Sequence, residues 1–504
     1  MFNKKILVLG PEIEDTNSIV TSMADNDNTI NHGLVVDPTF VPTEAGYYHT
    51  TVVDLKPGEI VEASDYYDII QLTHHEKSEY PHFKSFMITA TVFLELEKLG
   101  KNIKYKDNKS ANIFLYWYHF LRENKSFCFH PFMALINQDD YAIVCPKSNN
   151  PVTQLDKLID WSNDPNFGKI RANMLAGELN IGHCDDCYKR EAEGQESTRQ
   201  FETLEWAEKL GFTSVDDFVN VKYPLFYEVR PSNFCNIMCR TCDDMRSSLI
   251  EKERQRVDIP ITPFKLVDIP TDKIHLESAK RIYYAGGEPT IMPEFLEFLE
   301  RCIRVGRTDF ELQIGTNGMK FSNKLMDLLD HFSDVCFSIS YDGYKKINDY
   351  IRWGSKFDKI VKNSHLALSR GHKISLQTVY SMYSISRMHE VYEFYDREFP
   401  GIGALIQVGV GYGDIFMPYN HPCPELVVES MKRCQQTNVY HMIGRSVKSQ
   451  VDLMIDFYSD PTYTVNLDLL KKFYDYNHKL DVARNSKLGD YIPELEEARK
   501  KYFG

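Results

Sequence analysis

Between residues 221 and 411 six short apolar runs alternate with helix-like segments, and nearly every run gives way at once to glycine and polar residues. The runs, 225–230, 281–285, 311–315, 335–341, 374–379 and 405–409, read as strands, and their alternation with helices predicts a parallel α/β fold. After the first comes Phe234-Cys235-Asn236-Ile237-Met238-Cys239-Arg240-Thr241-Cys242; after the second, Gly286-Gly287-Glu288-Pro289; after the third, Thr316-Asn317-Gly318; after the fourth, Asp342-Gly343; after the sixth, the glycine-rich 409–413. Parallel strands bring their C-terminal ends to one rim, where such folds keep their sites. The clustering predicts that one ligand is surrounded.

The first of these loops carries three thiols in a C-x3-C-x2-C spacing. A [4Fe-4S] cluster has four irons and is fully ligated by four cysteines, so a three-cysteine loop leaves one iron open to another ligand. The competing readings are buried structural thiols or half of a zinc knuckle. No partner pair with zinc spacing follows within a knuckle's reach of Cys242.

A second thiol set lies upstream. Cys128 sits in Ser126-Phe127-Cys128-Phe129-His130-Pro131-Phe132, Cys145 follows the strand-like 141–144, and Cys184-Asp185-Asp186-Cys187 closes the set. Between them Pro151 to Leu179 reads as helical segments, with Arg171 among the apolar anchors. Four thiolates suit an iron-sulfur cluster or tetrahedral zinc, and ligand chemistry alone does not separate them.

The 504 residues, 43% hydrophobic and 26% charged, are those of an ordinary globular protein with room for about three domains. A net charge of -14 speaks against a chain-wide nucleic-acid or anionic-membrane surface. Eleven cysteines with no signal-peptide core and no membrane-length apolar run predict a reducing, cytoplasmic setting. Residues 1–120 read as a small α/β domain, with strands at 5–10, 33–36, 51–53 and 68–72 and a helix over 83–99. Gly10-Pro11-Glu12 has no phosphate-loop pattern, and His49, His74, His75 and His82 suggest recognition of a substrate or partner more than a metal site. From about 421 onward the chain reads as helical, with an aromatic-rich tail expected to cover the open side of a barrel. Cys302, Cys336, Cys423 and Cys434 read as core thiols.

In these motifs the sequence resembles the radical S-adenosylmethionine (radical SAM) superfamily. The resemblance implies a six-stranded partial (β/α) barrel over 221–420, in which Cys235, Cys239 and Cys242 hold a [4Fe-4S] cluster whose open iron chelates SAM. It further implies that Gly286, Gly287, Glu288 and Pro289 form the G-G-E-P loop that receives the SAM amino group. Asn317 is similar to the polar residue facing SAM, Ser340 to one near the ribose, and Arg352 to the arginine that pairs with the SAM carboxylate. Read without the resemblance, Arg352 is a solvated charge, Glu288 a helix N-terminal residue and Asp342-Gly343 a turn. Cys128, Cys145, Cys184 and Cys187, with the continuation 188–199, resemble a SPASM/twitch auxiliary module over 121–220, here placed before the barrel. They would hold a second [4Fe-4S] cluster, with zinc as the alternative.

The implied activity is reductive cleavage of SAM to a 5'-deoxyadenosyl radical that abstracts a hydrogen atom from substrate. Electrons would come from an external donor such as flavodoxin or ferredoxin. A peptide or protein is the first substrate class; a sugar, nucleotide or small metabolite is the second. A non-catalytic iron-sulfur or zinc scaffold is the reading from another class, but a scaffold needs neither an open iron nor SAM-facing residues.

Overall fold

The structure, a computed structural model, describes residues 61–62, 103–104 and 109–504, apart from 139, 149, 193–196, 263–270, 272–273, 409–413 and 443–444. The strands expected at 5–10, 33–36, 51–53 and 68–72, the 83–99 helix, the four N-terminal histidines and the glycine-rich 409–413 lie outside the described residues. The chain forms two compact units, one of residues 1–129, 177–179 and 186–220, the other of 130–176, 180–185 and 221–504.

In the first unit, strands β1 (Val61–Glu62) and β2 (Ile103–Lys104) pair in parallel. The helix Lys109–Glu123 buries Trp117, whose indole donates to Phe212 O at 2.8 Å. Arg199 is buried near the end of that helix. It donates to the carbonyls of Leu121, Asn124 and Phe127 and pairs with Glu191 at 2.7 Å, so that Leu121, in the last turn of the helix, has a partner for a carbonyl that lacks an intrahelical one. The helix that carries it, Thr198–Leu210, starts at a Ser197/Gln200 capping box.

The second unit is built on one sheet. A hairpin of β3 (Ala134–Gln138) and β4 (Tyr141–Ile143) with β5 (Thr153–Gln154) leads to β6 (Phe226–Val229). A short strand β7 (Met238–Cys239) leaves the sheet, and β8 (Arg281–Tyr284), β9 (Glu311–Thr316) and β10 (Asp334–Ser340) return to it. After the short β11 (Arg352–Trp353), β12 (Lys373–Tyr380) and β13 (Ala404–Val408) complete the order β13-β12-β10-β9-β8-β6-β3-β4-β5. All six expected strands are present and parallel to their neighbours.

Two expectations need correction. The sheet has nine strands among the described residues, because β3 adds in parallel to β6 and carries β4 and β5 with it. Residues 151–179 are helical only over Pro165–Leu175, started by Asp164, whose carboxylate accepts from the amides of Asn166 and Phe167. Arg171 on that helix donates to Pro131 O at 2.7 Å and to Ser162 O at 2.8 Å, and lies over the Trp161 ring. Residues 121–220 are shared between the units, with Cys128 and Cys187 in the first and Cys145 and Cys184 in the second.

The side chains of β9 and β12 alternate strictly between buried and half-buried. Ile374, Leu376, Thr378 and Tyr380 are buried, while Lys373, Ser375, Gln377 and Val379 are half-open on the other face. Strand alternation makes this a two-sided sheet with one packed face and one polar, accessible face. Register sets Gly315, the buried Ser338 and Ser375 side by side across three strands, and Ser340 opposite Gln377, so Ser340, Ser375 and Gln377 give the accessible face polar character.

Candidate SAM and cluster site

The cysteine loop begins where β6 ends, and its backbone is strapped to the next rim loop. Gly287 N donates to Ser232 O and Glu288 N to Phe234 O, both at 2.8 Å. A Cβ on Gly286, at φ 120°, would lie 2.6 Å from Ser232 O, and one on Gly287 would collide with the Phe234 carbonyl. The pair of glycines is required because two backbones touch, a contact that any side chain would block.

Glu288 is completely buried and its carboxylate is fully engaged. One oxygen accepts from the Thr290 hydroxyl and the Thr316 hydroxyl, each at 2.6 Å, and from Thr290 N at 3.2 Å; the other accepts from Asn317 N at 2.6 Å. Burial pushes its pKa up, opposed by these donors. Glu288 therefore ties the end of β8 to the end of β9. Pro289 opens the short 3-10 turn that follows. The Asn317 side chain turns to the cysteine loop, donating to Asn236 Oδ1 at 2.8 Å with its nitrogen 4.0 Å from Cys235 Sγ.

Cys239 and Arg352 are paired residues of an antiparallel ribbon formed by β7 and β11. The Arg352 guanidinium is buried and bonds Asp342 Oδ2 at 2.7 Å, while its Nε has no partner among the described residues. Burial works to lower its pKa, but its charged neighbours, Asp342 among them, outweigh it and raise it. Ser340, at the end of β10, stands on the accessible face.

Burial raises the pKa of all three loop thiols. Cys235 is pushed up to about 12, with Cys239 adding to the effect. Burial raises Cys239 against the pull of Arg352, and raises Cys242 well above its ordinary value with help from Cys239 and Asp243. Three such thiols stay protonated in the absence of metal, and ligation replaces those protons. Among the described residues no three His, Cys, Asp or Glu side chains are gathered round a single-ion position.

The structure thus brings together Cys235, Cys239 and Cys242 with Gly286, Gly287, Glu288, Pro289, Asn317 and Arg352. Asp342, read from sequence as a turn residue, is the partner of Arg352. Asn236 and Arg240, inside the motif itself, were passed over because only the cysteines carry the spacing signal.

Residues 229–395 match the model of the Radical SAM superfamily. Over 117 residues the chain is 27% identical to an uncharacterized protein of Methanothermobacter thermautotrophicus, covering 22% of this chain and 44% of that protein. Among solved structures it is similar to anSMEcpe with bound AdoMet (19% identity, TM-score 0.33, 42% of this chain and 60% of that one). It is also similar to SuiB of Streptococcus suis (17% identity, TM-score 0.31, 55% of this chain and 60% of that one). The chain spans less than half the length of the curated relative it matches. Among the described residues no helix is long and apolar enough to cross a membrane.

Proposed function

We propose that the chain is a radical SAM enzyme. The observation that carries this reading is the register of β7 against β11, which sets a cluster-ligand cysteine opposite a buried arginine with an unpartnered N–H. When bound, the cluster and SAM supply the 5'-deoxyadenosyl radical that takes a hydrogen atom from substrate. The protein's share is to bind, orient and exclude water. Cys235, Cys239 and Cys242 would hold the cluster. Arg352, fixed by Asp342, offers its free N–H to the SAM carboxylate, and Asn317 and Ser340 line the rim beside it. The half-open face of Gly315, Ser340, Ser375 and Gln377 is where substrate enters.

Cys128, Cys145, Cys184 and Cys187 are proposed to hold an auxiliary [4Fe-4S] cluster that relays electrons, with zinc as the alternative metal. This SPASM/twitch-like set favours a peptide or protein substrate. The small polar residues of the accessible face keep a sugar, nucleotide or small metabolite as the second reading. Flavodoxin or ferredoxin is the proposed electron donor, in a reducing cytoplasm that preserves the thiols. The test is deuterium transfer into 5'-deoxyadenosine from labelled candidate substrates, followed anaerobically by mass spectrometry. Label arriving from a peptide and from no small metabolite supports the first substrate class, and the reverse result supports the second.

A further inference from the structure

We propose that the helix Leu467–Arg484 is a working part of the SAM site and that Asp481 is its positioning residue, fixing Cys239 opposite Arg352. The inference rests on the radical SAM reading and extends it to a segment beyond the matched domain. It adds a task to a tail that was expected to cover the open side of a barrel.

The ribbon that aligns the cluster ligand with the arginine is only two residues on each side. So short a pair does not hold its own register in water. What holds it comes from 241 positions away. Asp481 Oδ1 accepts from Arg240 Nη2 at 2.5 Å, from the Tyr350 hydroxyl at 3.0 Å and from the Ser486 hydroxyl at 2.8 Å, and Oδ2 accepts from Leu488 N at 2.8 Å. Arg240 directly follows Cys239, and Tyr350 lies two residues before Arg352, so one carboxylate grips the residues that flank both strands of the ribbon.

The grip is reinforced on each side. Arg240, with no solvent exposure, stacks on the Tyr350 ring at 3.7 Å, donates to Tyr350 O at 3.0 Å, and reaches Asn477 Oδ1 at 3.1 Å. Its backbone bonds both neighbours: N donates to Ile351 O at 2.7 Å, and O accepts from the Tyr476 hydroxyl at 3.1 Å. At the end of the same helix Arg484 makes two bonds to Glu253, at 2.8 and 2.5 Å, on the helix that follows the third cysteine. A buried ion pair is poor evidence of stability in itself, but removing one member leaves an uncompensated charge, here beside a cluster ligand.

The test uses the full chain, anaerobically reconstituted, as wild type, Asp481→Asn and Tyr350→Phe. Iron per chain, the electron paramagnetic resonance spectrum of the reduced cluster with and without SAM, and the Kd for SAM are measured. Asp481→Asn is expected to keep its iron, to bind SAM about tenfold more weakly or worse, and to lose the SAM-induced spectral change. Tyr350→Phe, which deletes one bond to Asp481, is expected to shift Kd in the same direction by a few-fold. Iron-loaded Asp481→Asn with wild-type Kd and spectrum overturns the proposal. Should Asp481→Asn fail to fold, an unchanged Kd in Tyr350→Phe overturns it instead. A wild-type cluster whose spectrum ignores SAM defeats the radical SAM reading first, and this inference with it.

Discussion

The buried carboxylate of Glu288 accepts a hydrogen bond from the backbone N–H of Asn317 at 2.6 Å while its other oxygen serves Thr290 and Thr316. The acidic residue of the G-G-E-P loop is thus a structural tie between adjacent strand ends, and its side chain is fully spent before any ligand arrives.

Glu288→Gln tests that role. Whichever way the new amide turns, its NH2 group faces a backbone N–H, that of Asn317 on one side or Thr290 on the other. The substitution is expected to cost about 1–3 kcal/mol in a denaturant titration. A variant as stable as the wild type would show that these donors find other acceptors.

Glu208 supplies a pH dependence. Burial and the adjacent Glu205 push its carboxyl from 4.5 up to about 7. A carboxyl that is more basic folded than unfolded stabilises the fold while it is protonated; that contribution is complete below about 4.5 and is lost as pH rises through about 7. Glu208→Gln should therefore gain ~1–3 kcal/mol on the wild type between pH 5 and pH 8. A stability difference that stays constant over that range contradicts the assignment.

Arg352→Ala should weaken SAM binding by about 1.5–3 kcal/mol, the value of a charged hydrogen bond. Isothermal titration of the reconstituted protein reads this directly. An unchanged affinity would mean that the carboxylate is held elsewhere.

Five of the six expected parallel strands were legible because they couple an apolar run to a glycine or polar stop, and the observed limits of all six fall within one residue of those expected. Of the three added strands only β4 was, as the strand-like 141–144. β5 is two residues long, and nothing local tells a hairpin strand to extend a barrel sheet. The glycines at 286 and 287 were legible as part of a ligand loop, and in the fold the Ser232–Phe234 backbone packs directly against them. Asp342 looked like a turn because its partner lies ten residues on, beyond a helix. The hold of Asp481 on Arg240 left no sequence signal, since tertiary pairing over such a separation depends on where the whole barrel places its ends.

The most direct measurement is of 5'-deoxyadenosine and methionine released from SAM by the anaerobically reconstituted, chemically reduced protein, wild type beside the combined Cys235→Ala, Cys239→Ala and Cys242→Ala variant. The account predicts slow cleavage by the wild type even without substrate and none by the variant, which should retain about half of the iron if the four upstream cysteines hold a second cluster. Undiminished cleavage by the variant, or none by a wild type with its iron in place, would contradict the central claim.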